Sequence, residues 1–474
     1  MGSEVQELEA DYAIIGSGAM GMAFADILVE ESDKTMIIVD SFAKPGGHWN
    51  IAYPFVQLHQ PASFYGVSSK ELSSGRIEKG GLNDGLGELS SGQEVLAYFD
   101  DVMRHQFLPS GRVQYFPMCD YRGDGRFICK VTGQHYKITV KEKTVDCTFL
   151  KTTVPANHTP NFTVEDGVRF MPLNDLPKVS EAPGGYVVIG AGKTGIDACL
   201  WLLENRVDPD KITWIVNREA WMLNRKNTQM TPEFFFETIG TQARMVESIV
   251  ASTSIEDMFD RLEDSGYFVR IHKDVRPTMF HGATVSEREI EELGKIKNVV
   301  RMGHVTNISP TQITLKQGSI ATTPDTVHID CSACAIIDRG KRAIFQDDVI
   351  TPQTIRPYQP VFSAAAIAHI ELNYDSLEDK NRLCGLVPLP NDDTDFLFFT
   401  SAALMNQYQW SQDKDLQKWM AGNRLDGSST LLQKIPPSDR EKWAVVNRIR
   451  SNAPLAVGKL KQYQAGLCHS RDRG

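Results

Sequence analysis

Three closely spaced glycines occur twice in this chain, at Gly16-Ser17-Gly18-Ala19-Met20-Gly21 and, 174 positions later, at Gly190-Ala191-Gly192-Lys193-Thr194-Gly195. The first set follows Asp11-Tyr12-Ala13-Ile14-Ile15 and the second follows Tyr186-Val187-Val188-Ile189, so each reads as strand, tight turn and helix start. The chemistry served by this spacing is pyrophosphate binding. The first glycine permits the bend, the second lets the backbone approach the phosphates, and the third lets helix lie on strand. The helix amino terminus then meets the anion. Two such turns imply two dinucleotides.

The residues after the following strand distinguish the two sites. Beyond the first turn, a helix-like stretch from Ala19 to Glu30 leads into Thr35-Met36-Ile37-Ile38-Val39 and then Asp40, 19 residues after Gly21. An acid there accepts hydrogen bonds from an unphosphorylated ribose, which suits FAD or NAD. Beyond the second turn, Thr194 to Glu204 leads into Lys211-Ile212-Thr213-Trp214-Ile215-Val216, followed by Asn217 and Arg218. A guanidinium grips a ribose 2′-phosphate bidentately, which suits NADP. Arg218 also reads as a solvated arginine after a strand, although Arg225 and Lys226 add positive charge nearby. Lys193 has two readings as well, a pyrophosphate ligand or a solvated lysine at a helix start. Asp197 favours the positive helix end.

With 474 residues, 41% hydrophobic, the chain has material for two or three domains. A net charge of −10 excludes a generally basic surface for nucleic acid or anionic membrane. The acidic, polar start has neither a signal-peptide core nor a basic transit pattern, and Gln6 breaks a myristoylation pattern. The apolar run from Phe396 to Met405 is shorter than the roughly 20 residues a membrane span needs. The expectation is a cytoplasmic protein, and a homo-oligomer is compatible with it. The eight cysteines form no disulfide framework. Cys331-Ser332-Ala333-Cys334 has redox-dithiol spacing, but the surrounding Val327 to Ile336 reads as a buried strand in which cysteine acts as a small apolar residue. No Cys-rich or His-rich spacing indicates a metal.

Residues 65–95 are rich in Gly, Ser and charge and read as a long surface excursion that covers a site; Gln93 to Arg104 then reads as a helix. Phe127 to Val131 and Tyr136 to Val140 suit two strands of a meander. Helical periodicity runs through Pro232 to Ser252, Ser254 to Ser265 and Ser286 to Ile296, and strand-like segments follow around Val299 and Ile313. The expected fold is α/β with two Rossmann-like dinucleotide-binding domains, the NADP domain inserted in the FAD domain. Residues 1–160 are the first part of the FAD domain, 161–330 the NADP domain with a helical insertion, and 331–474 the second FAD part and a C-terminal segment.

These motifs resemble those of the flavin-containing and Baeyer-Villiger monooxygenases. Gly16, Gly18 and Gly21 with Asp40 look like that group's FAD site, and Pro45-Gly46-Gly47-His48-Trp49 is similar to its Gly-Gly-x-Trp turn, which passes close to the flavin. Gly190 to Asp197 resembles its NADP turn with a trailing aspartate. The chain departs from the group at Phe170-Met171-Pro172-Leu173-Asn174-Asp175-Leu176, where the Phe-x-Gly-x-x-x-His fingerprint lacks its glycine and histidine. It departs again at Thr152 to Pro160, which replaces an Ala-Thr-Gly linker, and it lacks a Gly-Asp signature near the carboxyl end. A divergent subfamily is implied. The resemblance implies oxygenation of a small organic substrate through a flavin C4a-(hydro)peroxide, with NADPH as reductant and oxygen as co-substrate. Tyr53 to Pro61 mixes aromatic, amide and imidazole groups suited to a flavin ring. His48, His59 and Gln60 within or beside it are the candidate catalytic residues. Asn157 and His158 are lesser candidates of the same type. An NADPH-dependent flavin reductase or oxidase, or a nucleotide-binding sensor, are the alternative readings.

Overall fold

A computed structural model describes residues 5–150, 152–333, 340 and 342–471. The first sheet begins with β1 (Gln6–Ile15), β2 (Met36–Val39) and β3 (Val113–Phe116), continues through the hairpin of β4 (Cys119–Gly123) and β5 (Arg126–Cys129), and includes the long β6 (His135–Asp146). Its order is β3-β2-β1-β6-β5-β4, with β1 parallel to both β2 and β6 and Ile14 level with Ile38 and Val145. The end of β1 and all of β2 are buried on both faces, which is why they read as continuous apolar runs rather than alternating ones. The first helix, α1 (Ala19–Glu31), is almost wholly buried from Gly21 to Leu28. The next, α2 (Gly92–Val102), starts with a capping box in which Ser91 and Glu94 satisfy each other's backbone N–H groups.

The second sheet is wholly parallel. Its strands are β7 (Arg169–Pro172), β8 (Gly185–Ile189), β9 (Ile212–Ile215), β10 (Asn298–Val300) and β11 (Thr326–Asp330), in the order β10-β9-β8-β11-β7. The crossover from β8 to β9 is α3 (Lys193–Glu204). Between β9 and β10 stand α4 (Phe235–Ala251), α5 (Ile255–Asp264) and α6 (Glu287–Leu293), where the sequence periodicity is helical. The same stretch holds strands that periodicity misses. Ala220–Asn224 runs parallel to Met279–Val285 and antiparallel to Phe268–Val269. Ala220 to Leu223 are all buried, so this strand shows no alternation to detect.

The chain then returns to the first sheet. Val349–Ile350 forms β12 parallel to β6, and α7 (Pro360–Asn373) packs on α1. The architecture is therefore α/β, with one dinucleotide-type unit interrupting another. The strand expected to continue to Ile336 ends at Asp330, and Cys334 lies outside the described residues. Cys331 is buried, and burial pushes its thiol well above the usual range, as befits an apolar packing residue. Among the described residues no helix is long and apolar enough to cross a membrane.

Candidate dinucleotide sites and the junction between them

The first turn is built around an approach of two glycine backbones. Gly47 has φ +57°, and a Cβ there would sit 2.9 Å from the Gly18 Cα, so the loop from Pro45 to Trp49 can lie on the turn only with glycine at this position. The Gly46 N–H donates to the Ser17 carbonyl (2.8 Å), fastening the loop. A Cβ on Gly21 would meet the Gly16 carbonyl oxygen at 2.0 Å, which is the close helix-on-turn packing the spacing predicts. Gly18 is the α1 N-cap, without a side-chain cap or a first-turn acid, so the helix start keeps backbone N–H groups for an anion.

Asp40 is nearly buried, and its carboxylate accepts from the Ser17 N–H (2.5 Å), the Ser17 hydroxyl (2.7 Å) and the Phe42 N–H (2.7 Å). The acid thus braces the turn. His48 is exposed and stacks on Trp49 (ring centroids 5.2 Å apart), and desolvation by the neighbouring protein lowers its pKa. Trp49 is buried, its indole N–H donating to the Tyr65 hydroxyl (2.7 Å).

The second turn repeats the first. A Cβ on Gly195 would lie 2.2 Å from the Gly190 carbonyl oxygen, and Gly190 (φ +138°) abuts the Cys331 carbonyl. Gly192 is the uncapped α3 N-cap, beside Ala191, and a Cβ there would meet no protein atom within 4 Å. Beyond β9, Asn217 contacts His304 (3.4 Å), whose imidazole is held down by burial and by the Lys316 and Arg218 charges. Arg218 is not simply solvated, because Asp392 (2.5 Å) and Asn391 (3.2 Å) hold its guanidinium.

Lys193 is not a solvated lysine. Its ammonium bonds Asp197, one helical turn on, and lies 3.6 Å from Glu289, with the side chain mostly buried. Thr194, by contrast, stays in the first turn of α3. Asp197 also accepts from the Tyr53 hydroxyl (2.6 Å), so the start of α3 is tied to the first unit. Burial and then the Asp197 charge push the Tyr53 phenol well up.

Around this contact lies an ionic network that sequence reasoning missed. Arg225 is 1% exposed, donates twice to Glu289 (2.9 and 2.8 Å), and reaches the His59 carbonyl (3.0 Å) and the Asn83 amide oxygen (3.4 Å). The Thr284 hydroxyl donates to the same His59 carbonyl (2.6 Å). Glu289 is aimed by a capping box with Ser286, whose hydroxyl donates to the Leu82 carbonyl (2.5 Å). Burial opposes the Glu289 charge, but Lys193 and Arg225 outweigh it and hold the carboxyl below its usual range. Two cations and two carboxylates compensate each other where water is scarce.

His59 takes its setting from this network. Desolvation, then the Lys193 charge, lowers its imidazole to about 4, so it is neutral at pH 7 and resists protonation. Gln60 lines a small cavity with Phe64, Tyr65, Tyr358 and Gln359. Part of the excursion over residues 65–95 is buried, at Asn83, Leu86 and Glu88, and Asn83 reaches Arg225 in the junction. Asn157 caps its own turn at Val154 (2.9 Å), and His158 lies 3.9 Å from Asp330, away from this network.

No family model matches the chain. Among solved structures it is similar to a flavin-containing monooxygenase from Stenotrophomonas maltophilia, with TM-score 0.42 and 12% identity over 87% of this chain and 99% of that one. It is also similar to cyclohexanone monooxygenase from Rhodococcus sp. Phi1 bound to NADP+, with TM-score 0.46 and 13% identity over 78% of this chain and 86% of that one. Among curated proteins, uncharacterized protein Rv2000 of Mycobacterium tuberculosis and uncharacterized protein Mb2023 of Mycobacterium bovis are each 44% identical over 453 residues, 96% of this chain and 84% of theirs. At that identity and coverage, the chain belongs to the same family as these mycobacterial proteins.

Proposed function

We propose that the protein is an FAD-dependent, NADPH-using monooxygenase that places one oxygen atom of O2 on a small organic substrate. The observation that carries this reading is a pair of uncapped glycine-turn helix starts in one chain, with the segment from Tyr53 to Gln60 anchored against the second of them. Both turns fit a dinucleotide pyrophosphate, and the backbone at Gly192 is unobstructed. Bound FAD supplies oxygen-activating redox chemistry with electrons from NADPH.

The chain's own residues divide the remaining work. Gly16, Gly18, Ala19 and Gly21 hold the FAD pyrophosphate, Asp40 meets the ribose, and Gly47, His48 and Trp49 line the approach to the flavin. Gly190, Gly192, Thr194 and Gly195 hold the NADPH pyrophosphate, while Asn217 and Arg218, with His304 and Lys316 beside them, receive the 2′-phosphate. Lys193 acts through the junction, where its bond to Asp197 fixes the start of α3. His59, neutral at working pH, meets the reacting groups with a hydrogen bond from its imidazole. Gln60 and His48 donate hydrogen bonds to the reacting groups. Arg225 and Thr284 hold the His59 backbone and so orient the ring.

The test is to identify the flavin released from purified protein, bleach it anaerobically with NADPH, and then admit oxygen-18 with panels of sulfides, amines and ketones. Label in one organic product, matched to NADPH consumed, is the expected result. Recovery of every electron pair as hydrogen peroxide across the panels would instead make the protein an oxidase or reductase. Tight binding of both nucleotides without bleaching would make it a sensor.

A further inference from the structure

We propose that Cys119 and Cys129 form a dithiol that hydroperoxides oxidise to a disulfide. The two residues face each other across the antiparallel hairpin of β4 and β5. The Cys119 N–H donates to the Asp40 carbonyl (2.8 Å), the Cys129 N–H to the Gln134 carbonyl (3.0 Å), and the Lys130 N–H to the Met118 carbonyl (2.8 Å). The cysteines therefore exchange no backbone bonds and form a non-hydrogen-bonded pair, the closer kind, with Cα atoms about 4.5 Å apart. That lies within the roughly 4.4–6.8 Å a disulfide spans.

The two thiols differ in a way that assigns roles. Cys129 is partly exposed, whereas Cys119 is 3% exposed. The Cys129 sulfur is held by the Thr132 hydroxyl, by the Thr132 and Val131 N–H groups of the following turn, and by Cys119; these bonds favour thiolate and bring its pKa down to about 7. Burial, then the neighbouring Cys129, holds the Cys119 thiol up. Cys129 is the attacking sulfur and Cys119 the resolving one. Burial pushes the thiols of Cys147, Cys199, Cys331 and Cys384 upward as well, so they serve as unreactive comparators.

The Cys129 thiolate attacks one oxygen of a hydroperoxide and breaks the O–O bond, giving a sulfenic acid and, after protonation, an alcohol or water. The Cys119 thiol then attacks the Cys129 sulfur; the S–S bond forms, hydroxide leaves, and with the thiol proton it becomes water. Two thiols supply two electrons to one peroxide bond. This chemistry is independent of the proposed oxygenase reaction and needs only a peroxide.

The test treats the purified full-length protein with a modest excess of hydrogen peroxide, blocks free thiols with N-ethylmaleimide, and digests it with trypsin without reductant. Cleavage after Arg112, Arg122, Arg126 and Lys130 separates Cys119 from Cys129. The expected product is one linked pair of peptides, two hydrogens lighter than their sum and split by dithiothreitol. In untreated protein, iodoacetamide should modify Cys129 with a pH midpoint near 7 and at least about tenfold faster than the four comparators at neutral pH. In Cys119→Ser, dimedone should capture the Cys129 sulfenic acid. Recovery of both wild-type peptides unlinked, whether as free thiols or with Cys129 irreversibly oxidised, would overturn the proposal without any variant needing to fold.

Discussion

Replacing Arg225 with methionine keeps most of the side-chain volume and removes the cation. Glu289 would then lose both guanidinium bonds (2.9 and 2.8 Å) while staying buried, and the His59 carbonyl would lose one of its two donors. Removing one partner of a buried ion pair costs about 3–5 kcal/mol. Lys193 remains 3.6 Å from Glu289 and supplies part of the missing charge, so the low end, about 3 kcal/mol, is expected. At 1.36 kcal/mol per factor of ten, this corresponds to roughly 150-fold faster hydrogen exchange where opening exposes the network. Peptides covering residues 225–229 and 286–293, followed by mass spectrometry, report it directly. Arg225→Met combined with Glu289→Met should recover about half or more of the loss, because an apolar pair replaces a stranded charge. A loss below about 1 kcal/mol, or a double variant that exchanges as fast as the single one, would refute the claim that this pair locks the junction.

The two turns should respond differently to a single methyl group. Gly192→Ala, at φ −79° with no protein atom within 4 Å of its Cβ, should leave the melting temperature unchanged and weaken NADPH binding, whereas Gly195→Ala, 2.2 Å from the Gly190 carbonyl, should destabilise the fold itself; calorimetry and nucleotide titration separate the two effects. Arg218→Ala should weaken NADPH at least about tenfold more than NADH, and Asp392→Asn, which releases the guanidinium, should shift preference towards NADPH; equal effects on both nucleotides would count against the phosphate role. Between pH 6.5 and about 4 the unfolded chain binds a proton that folded His59 refuses, so its contribution is complete above that window and is lost on acidification. His59→Gln should flatten the fall of urea midpoint with pH, and an unchanged slope would place the titration elsewhere.

What was legible in the chain was what is local. Glycine spacing, an apolar strand before each turn and helical periodicity specify the two nucleotide units, because each depends on neighbours a few residues away. The directions of Lys193 and Arg218 were not legible, since each is settled by a carboxylate distant in sequence, Glu289 in one case and Asp392 in the other. Arg225 appeared only as extra charge near a phosphate site. Its burial follows from the convergence of residues 59, 83 and 289, which no periodicity records. Of Cys119 and Cys129 only the second lay on an expected strand, Phe127 to Val131; their pairing depends on register, and a slip of one residue would put the two sulfurs on opposite faces.

The late return of the chain to its first sheet bears on how the protein is made. The second sheet is drawn from one continuous stretch and can close while synthesis proceeds, but β12 and α7 leave the ribosome some 330 residues after β1. At about 5–20 residues per second, the apolar flank of α1 that α7 later covers waits roughly 17–70 s for its partner. A nascent chain in that interval presents a sticky surface next to a finished neighbour, which makes α1 the natural target for a chaperone during translation and the point where slow synthesis would lead to aggregation.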